Sequence, residues 1–384
     1  MNLHRGARRL TLAASATLLL LTASVPASAT PTHAGQTSDL QDALDALVTQ
    51  ADGPPGIIVV VDRGRGHQVL TAGVAKRGTH RRVRETQHMR VASVSKAFTG
   101  AVALALVRKG TLSLDDTVAR WLPNLPHDWA NVTLTQLMQH TSGIRDFSEE
   151  KGFATALVAS LLHPPPHAAL LSFITDPTLR FAPGTQYRYS NSDNIIIGLM
   201  AQSATGKPFA RLLDSLVNRE LDLDETSLPN GARLVHPRIH GYDLSDPERE
   251  DVSELFAAGW TFTSGGIVST PSDADEFVRT YASGRLTDRA THARQFTFVP
   301  GSSEPPGPGI NSAGLSVFRY ETRCGTVYGH TGNTAGYTQF IAASADGHRS
   351  VTVSINGQIT PRTNPTRFAE LRAIDELAVC AALA

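Results

Sequence analysis

One segment constrains this chain more than any other: "SKAFTGAVALALVRKG", Ser95 to Gly110. Ala97, Phe98, Ala101, Val102, Leu104, Ala105, Leu106 and Val107 leave almost no polar stripe, the pattern of a helix buried on nearly every side. Yet Lys96 stands in it, three residues after Ser93, a spacing that puts both side chains on one helical face. A lysine held there loses hydration, which lowers its pKa. Once neutral, it can take the proton of a serine hydroxyl that is too weak a nucleophile alone. Ser93 also lies near the helix N-terminus, whose free backbone N–H groups can stabilise an oxyanion. The alternative is a lysine snorkelling from a helix end. The chain holds its own control in "FSEEKG", where Ser148 and Lys151 repeat the spacing in an acidic, turn-like setting; that pair reads as surface.

Residues 1–29 combine Arg5, Arg8 and Arg9, an apolar run from Leu10 to Leu21, and small residues before Ala29. This is the pattern of a secretory signal cleaved near Ala29, with twin-arginine export left open by the Arg8–Arg9 pair. The full chain balances 35 basic against 35 acidic residues. Removing three arginines and no acids leaves 32 against 35, a mildly acidic product that argues against a nucleic-acid partner. No later stretch reaches the roughly 18 apolar residues of a membrane span, so no stable membrane anchor and a secreted monomer are expected. The chain has two cysteines, Cys324 and Cys380, which in an oxidising compartment are expected to pair. The last 17 residues, "FAELRAIDELAVCAALA", read as an amphipathic surface helix.

"GIIVVVDRG" and "GHQVLTAGVAKRG" read as two strands around a glycine turn. A second group, "GLSVFRYE", "GTVYGHT", "YTQFIAAS" and "RSVTVSING", lies far downstream; Val351, Val353 and Ile355 alternate as in a half-buried strand. Between them, "SLDDTVARWLP", "TLTQLMQHTSG", "SDNIIIGLMAQSATG" and "KPFARLLDSLVNREL" are helical, bounded by capping residues, Pro or Gly. The expected fold is α/β of the α+β kind: an antiparallel sheet closed by both chain ends and flanked by helices. Residues 30–110 and 255–384 would form this sheet-plus-helix domain, with 111–254 an inserted, mainly helical region. The cleft between them is the expected place for chemistry.

Two further stretches carry chemistry. In "FAPGTQYRYSNSDN", Tyr189 and Asn191 follow a Pro-Gly turn and precede an apolar helix. A phenol can relay a proton, and a carboxamide can donate to and accept from a substrate amide. In "YGHTGNTAGY", His330, Thr331 and Gly332 end a strand where glycine lets backbone approach a ligand closely. "MQHTSGI", with His140, repeats the His-Thr pair. Metal catalysis is not expected: "HPPPH" is a proline-stiffened turn, and no HExxH or paired CxxC occurs. Phosphate and dinucleotide fingerprints are absent, so no cofactor is expected.

Taken in order, "SVSK", "YSN" and "HTG" resemble the three active-site motifs of the serine penicillin-recognising enzymes. "LMQHTSGI", "APGTQYRYSN" and "SGGIVSTPSD" extend the resemblance, from about residue 40 to the end, to the family holding class C β-lactamases and secreted actinobacterial D-alanyl-D-alanine carboxypeptidases. It implies the β-lactamase/transpeptidase-like fold, Ser93 as acylated nucleophile, Lys96 as its proton acceptor and Tyr189 as shuttle to the leaving group. Asn191 would hold the substrate amide. His330, Thr331 and Gly332 would line a carboxylate pocket, with Arg319 its candidate cation, and the N–H groups of Ser93 and Asn333 would form the oxyanion hole. The literal "SDN" at Ser192–Asn194 is read as coincidence. His330 stands where class C β-lactamases carry Lys, whereas the carboxypeptidases resemble this chain in having HTG and a disulfide from the last helix. The expected function is a secreted, penicillin-sensitive serine D-alanyl-D-alanine carboxypeptidase whose partner is a peptidoglycan peptide or a β-lactam. The alternatives are a β-lactamase, an esterase or a D-amino-acid peptidase on the same machinery, or a wall-binding module without turnover.

Overall fold

The β-branched run Gly56–Asp62 forms strand β1, turns at Gly64 and Gly66, and returns as β2, His67–Gly73. A helix, α1 (His33–Thr49), precedes them. The computed structural model describes the backbone from His33 to Ala384 and side chains from Thr37. The expected export signal, residues 1–29, lies outside the described residues.

The apolar segment forms helix α2 (Ser95–Arg108), buried from Ser95 to Leu106 as its composition requires. Helix α3 spans Asn191–Thr205 and stops at Gly206, whose φ of 67° ends it in the left-handed conformation. Helix α4 is Pro271–Ala282. The second strand group comprises β3 (Val299–Pro300), β4 (Ile310–Ala313), β5 (Phe318–Thr322), β6 (Gly325–Thr334), β7 (Tyr337–Ala343) and β8 (Ser350–Ile355). The closing helix α5 is Pro365–Leu383.

These strands form one antiparallel sheet of eight, ordered β2-β1-β8-β7-β6-β5-β4-β3. Both ends of the chain meet in it, because β1 pairs with β8, Val59 opposite Val353. Among the described residues, 111–254 supplies no strand of this sheet. Two of the expected helices there shrink to single turns, Val118–Trp121 and Leu134–Met138. The second is held by a reciprocal capping box between Thr133 and Gln136.

Strand β8 departs from the half-buried expectation: all six of its residues are buried. Val351, Val353 and Ile355 pack with Leu40, Leu44 and Leu371 of the helices on one face. The other face is roofed by α4, where Asp275 accepts hydrogen bonds from Ser350 Oγ (3.0 Å) and Thr352 Oγ1 (3.3 Å). The polar alternation therefore marks a buried polar contact, not water. Helix α5 likewise is more buried than a surface helix: Ala378 to Ala382 pack inward, and Arg367 and Asp375 are buried with them.

A disulfide joins Cys324, in the β5–β6 turn, to Cys380 of α5. Among the described residues, no helix is long and apolar enough to cross a membrane. The bridge closes a loop with a sequence separation of 56, for which chain entropy alone gives about 4 kcal/mol. Replacing both cysteines by serine is expected to lower unfolding stability by about 2–4 kcal/mol, read as the shift in a urea melt against the parent. An unchanged midpoint would show that the bridge adds nothing.

Candidate active site

Ser93 sits in a single 3-10 turn, Ala92–Val94, at the head of α2. Ala92 is held at φ 50°, a left-handed conformation that costs an L-residue energy and needs support from its surroundings. Strand β6 supplies that support. A Cβ at Gly332 would stand 2.4 Å from the Val91 carbonyl oxygen and 3.2 Å from Val94 N, so only glycine lets the strand come this close. The close approach leaves Ser93 half-buried and facing a cleft.

Lys96 is wholly buried. Its Nζ donates to the Ser264 carbonyl oxygen (2.7 Å) and Asn191 Oδ1 (2.7 Å) and lies 3.0 Å from Ser93 Oγ. Burial lowers its pKa to about 7, against the opposing pull of Asp146, Glu304 and Asp193. Two of its three partners are obligate acceptors, while the serine hydroxyl can accept from the ammonium or donate to the neutral amine.

Tyr189 is buried beside this pair, its ring centroid 4.9 Å from Lys96 Nζ. Burial pushes the phenol well above its ordinary value, while the adjacent Ser93 hydroxyl pulls it down. Its hydroxyl makes no well-aligned hydrogen bond. Burial thus drives the lysine towards its neutral base form and the phenol to stay protonated, which separates a proton acceptor from a proton donor.

Asn191 opens α3 and is fixed at both ends of its carboxamide. Oδ1 accepts from Lys96, while Nδ2 donates to Asp146 Oδ2 (2.9 Å) and Ser148 Oγ (3.0 Å). Ser148 therefore lines the cleft; it is not the surface residue its acidic context suggested, and only Lys151 of that pair is exposed. The acids around it are what hold it: Asp146 Oδ1 accepts from both Ser148 N and Oγ. Behind Tyr189, at 4.6 Å between rings, lies His140. Its Nδ1 is 2.9 Å from Asp193 Oδ2 and accepts from Ser190 N at 3.3 Å. Burial lowers His140 to about 3 and raises Asp193 well above its ordinary value. Ser192 donates to the Arg145 carbonyl and accepts from Phe147 N. The literal "SDN" residues thus brace the chain behind the site.

The cleft holds about 600 Å³ and is lined by Ser93, Ser148, Tyr189, Asn191, Glu304 and Asn333 on its polar side. His330 and Thr331 do not line it. His330 is wholly buried, packs edge-on against Phe318 at 4.9 Å, and is lowered by burial to about 3, so it stays neutral. Thr331 spends its hydroxyl on the Pro305 carbonyl at 2.6 Å. Asn333 reaches the cleft, but its side chain is tied to Thr338, Ile359 and Gln358. Arg319 is also engaged elsewhere, bonding Ser312 and Glu321 and covering the Phe298 ring. The arginine at the cleft is Arg362, exposed and, among the described residues, without an ion pair. Arg362 and Glu304 escaped the sequence because both sit in proline-rich connections, "TPRTNP" and "SSEPPGPG", that carry no periodicity.

Known proteins resemble this chain in sequence and fold. The family model described as Beta-lactamase matches residues 40–376. The D-alanyl-D-alanine-carboxypeptidase/endopeptidase AmpH of Escherichia coli is 26% identical over 303 residues, 73% of this chain and 75% of that protein. Esterase EstB of Burkholderia gladioli is 31% identical over 305 residues, 67% of this chain and 77% of that protein. In structure, a D-stereospecific amidohydrolase from Streptomyces superposes with a TM-score of 0.75 at 28% identity, over 89% of this chain and 98% of that one. With a family match across most of its length, the chain belongs to the β-lactamase family of serine penicillin-recognising hydrolases.

Proposed function

We propose that the chain is an exported serine hydrolase that breaks amide bonds of D-configured aminoacyl substrates through an acyl-enzyme on Ser93. The observation that carries this reading is the wholly buried Lys96, whose Nζ lies 3.0 Å from Ser93 Oγ. Ser93 Oγ attacks the substrate carbonyl carbon while its proton passes to Lys96 Nζ. The Ser93 and Asn333 N–H groups receive the oxyanion. Tyr189, kept as the phenol, gives the leaving amine its proton and is replenished from Lys96. Water then opens the ester, releasing the acid and restoring the Ser93 hydroxyl. Asn191, its Nδ2 locked by Asp146 and Ser148, keeps Lys96 in line and has the second lone pair of Oδ1 left for a substrate amide N–H.

Phe147, Phe153, Leu157, Leu161, Phe256 and Trp260 wall the cleft and support an acyl group with a large apolar side chain. The names of AmpH and of the Streptomyces amidohydrolase support the D configuration. A second reading, the D-alanyl-D-alanine carboxypeptidase on stem peptides, is favoured by Arg362, a free cation for a terminal carboxylate. In both, penicillin acylates Ser93.

Intact-mass measurement of the mature protein with penicillin is expected to show one adduct, mapped by digestion to Ser93. Ser93→Ala is expected to take none and to lose amide hydrolysis by about 10³-fold or more. Retained hydrolysis in that variant would end the proposal.

Only the neutral amine accepts a proton, so acylation fails as pH falls through the Lys96 pKa of about 7. The kcat/KM profile is expected to rise about tenfold per pH unit below that value and to level above it. A profile flat between pH 5 and 8 would remove Lys96 as the base.

A further inference from the structure

The loop between β3 and β4 is pinned on both sides of Glu304. Tyr187 Oη donates to the Ser302 carbonyl at 2.5 Å, and Thr331 Oγ1 donates to the Pro305 carbonyl at 2.6 Å. Ser303 Oγ also reaches the Pro305 carbonyl (3.1 Å) and Tyr320 Oη (3.2 Å), and Arg372 Nε donates to the Gly307 carbonyl at 3.0 Å. A Cβ on Gly307 would stand 2.4 Å from the Tyr320 ring, so the loop lies flat on the sheet edge. The backbone is committed, yet among the described residues nothing hydrogen-bonds or ion-pairs with the Glu304 carboxylate. That carboxylate lines the same cleft as Ser93.

Arg362, exposed on the same cleft, is not among the charges that act on Glu304: Asp146 and Glu149 raise its pKa, and Lys96 and Arg188 lower it. Lys96 is near its neutral point, and Arg188 is committed to Glu149 at 3.2 Å. Glu304 is exposed on the cleft wall, and partial desolvation with the two neighbouring acids raises it above its ordinary value, so a positive charge placed beside it would offset their repulsion. The hydroxyl expected to greet a substrate carboxylate, that of Thr331, is consumed by this same loop.

We propose that Glu304 is a specificity residue that holds a primary ammonium on the acyl donor, so that the cleft selects substrates with a free amino group. This rests on amide cleavage at Ser93. A carboxylate left unpaired by its own protein gains a charge-assisted hydrogen bond from such a substrate, and an acylated amine forfeits it. An anionic group in its place meets Glu304, Asp146 and Glu149.

The test compares D-phenylalanine p-nitroanilide with its N-acetyl derivative. The parent protein is expected to favour the free amine by roughly tenfold or more in kcat/KM, chiefly through KM. Glu304→Gln is expected to shrink that ratio towards one, and Glu304→Lys to invert it. Glu304→Asp is expected to keep part of the preference, which a merely structural role for the side chain would not produce. An equal response of both substrates to Glu304→Gln, or a parent without preference for the amine, overturns the assignment. Penicillin labelling is run on each protein in parallel. Failure to acylate Ser93 in the parent overturns the underlying hydrolase reading, whereas acylation without amine discrimination overturns the role of Glu304 alone.

Discussion

An amine without water must find its partners in the protein, and the arrangement around Lys96 supplies them from three separate segments. Ser93 lies at the head of α2, Asn191 at the start of α3, and Ser264 on the short turn that precedes α4. Holding that amine is costly. A shift from 10.5 to about 7 amounts to a penalty on the order of 4–5 kcal/mol at neutral pH. The penalty is complete below pH 7 and fades as pH rises towards 10.5, where the unfolded chain also loses the proton. A domain is stable by only about 5–15 kcal/mol, so an expense of this size marks a group kept for its chemistry. The surrounding core offsets it: α2 is buried along most of its length and stacks Phe98 on Phe277 of α4 at 3.6 Å.

The layer behind the site follows the same logic. His140 and Asp193 stand 2.9 Å apart, and their burial pushes the imidazole down to about 3 and the carboxyl up, so the interior disfavours charge on both. Asp146 is different, because it accepts from the Asn191 backbone and side chain and from Ser148, so its acceptors are used on N–H and O–H groups. It pulls the lysine pKa up while burial pulls it down, and the balance lands near neutrality. Acid and base assignments are thus set by packing more than by residue type.

What the sequence made legible is what chemistry confines to short spacings. Ser93 and Lys96 share a helical face, and Tyr189 and Asn191 share one loop, so local pattern and geometry agree. The sheet was legible where strands alternate; the two strands at its far end, β4 and the edge strand β3, with four and two residues, offer too little periodicity. Ser148 was misread because its acidic neighbours suggest solvent, whereas they fold back as acceptors that hold it against Asn191, 43 residues away. The polar face of β8 misled for the same reason: hydroxyls alternate with valines whether they meet water or the Asp275 carboxylate. In each case the missing information is a partner distant in sequence.

Thr331 shows where a motif stops carrying function. The "HTG" stretch keeps its structural duty, since Gly332 lets β6 touch the serine turn. Its threonine, however, is bonded to Pro305, 26 residues earlier in the chain. Ser93 and Lys96, the proposed nucleophile and base, stand at the head of a buried core helix, where change leaves a cavity or an unpaired group and is expensive. The loop carrying Glu304 belongs to the sheet edge, joining two short strands, and loops accept replacement far more readily. Acyl transfer and substrate choice are therefore anchored in parts of the molecule with very different tolerance for change. A core of this kind can serve an esterase, a carboxypeptidase or an amidohydrolase, and the group placed on the edge loop decides which charge the cleft admits.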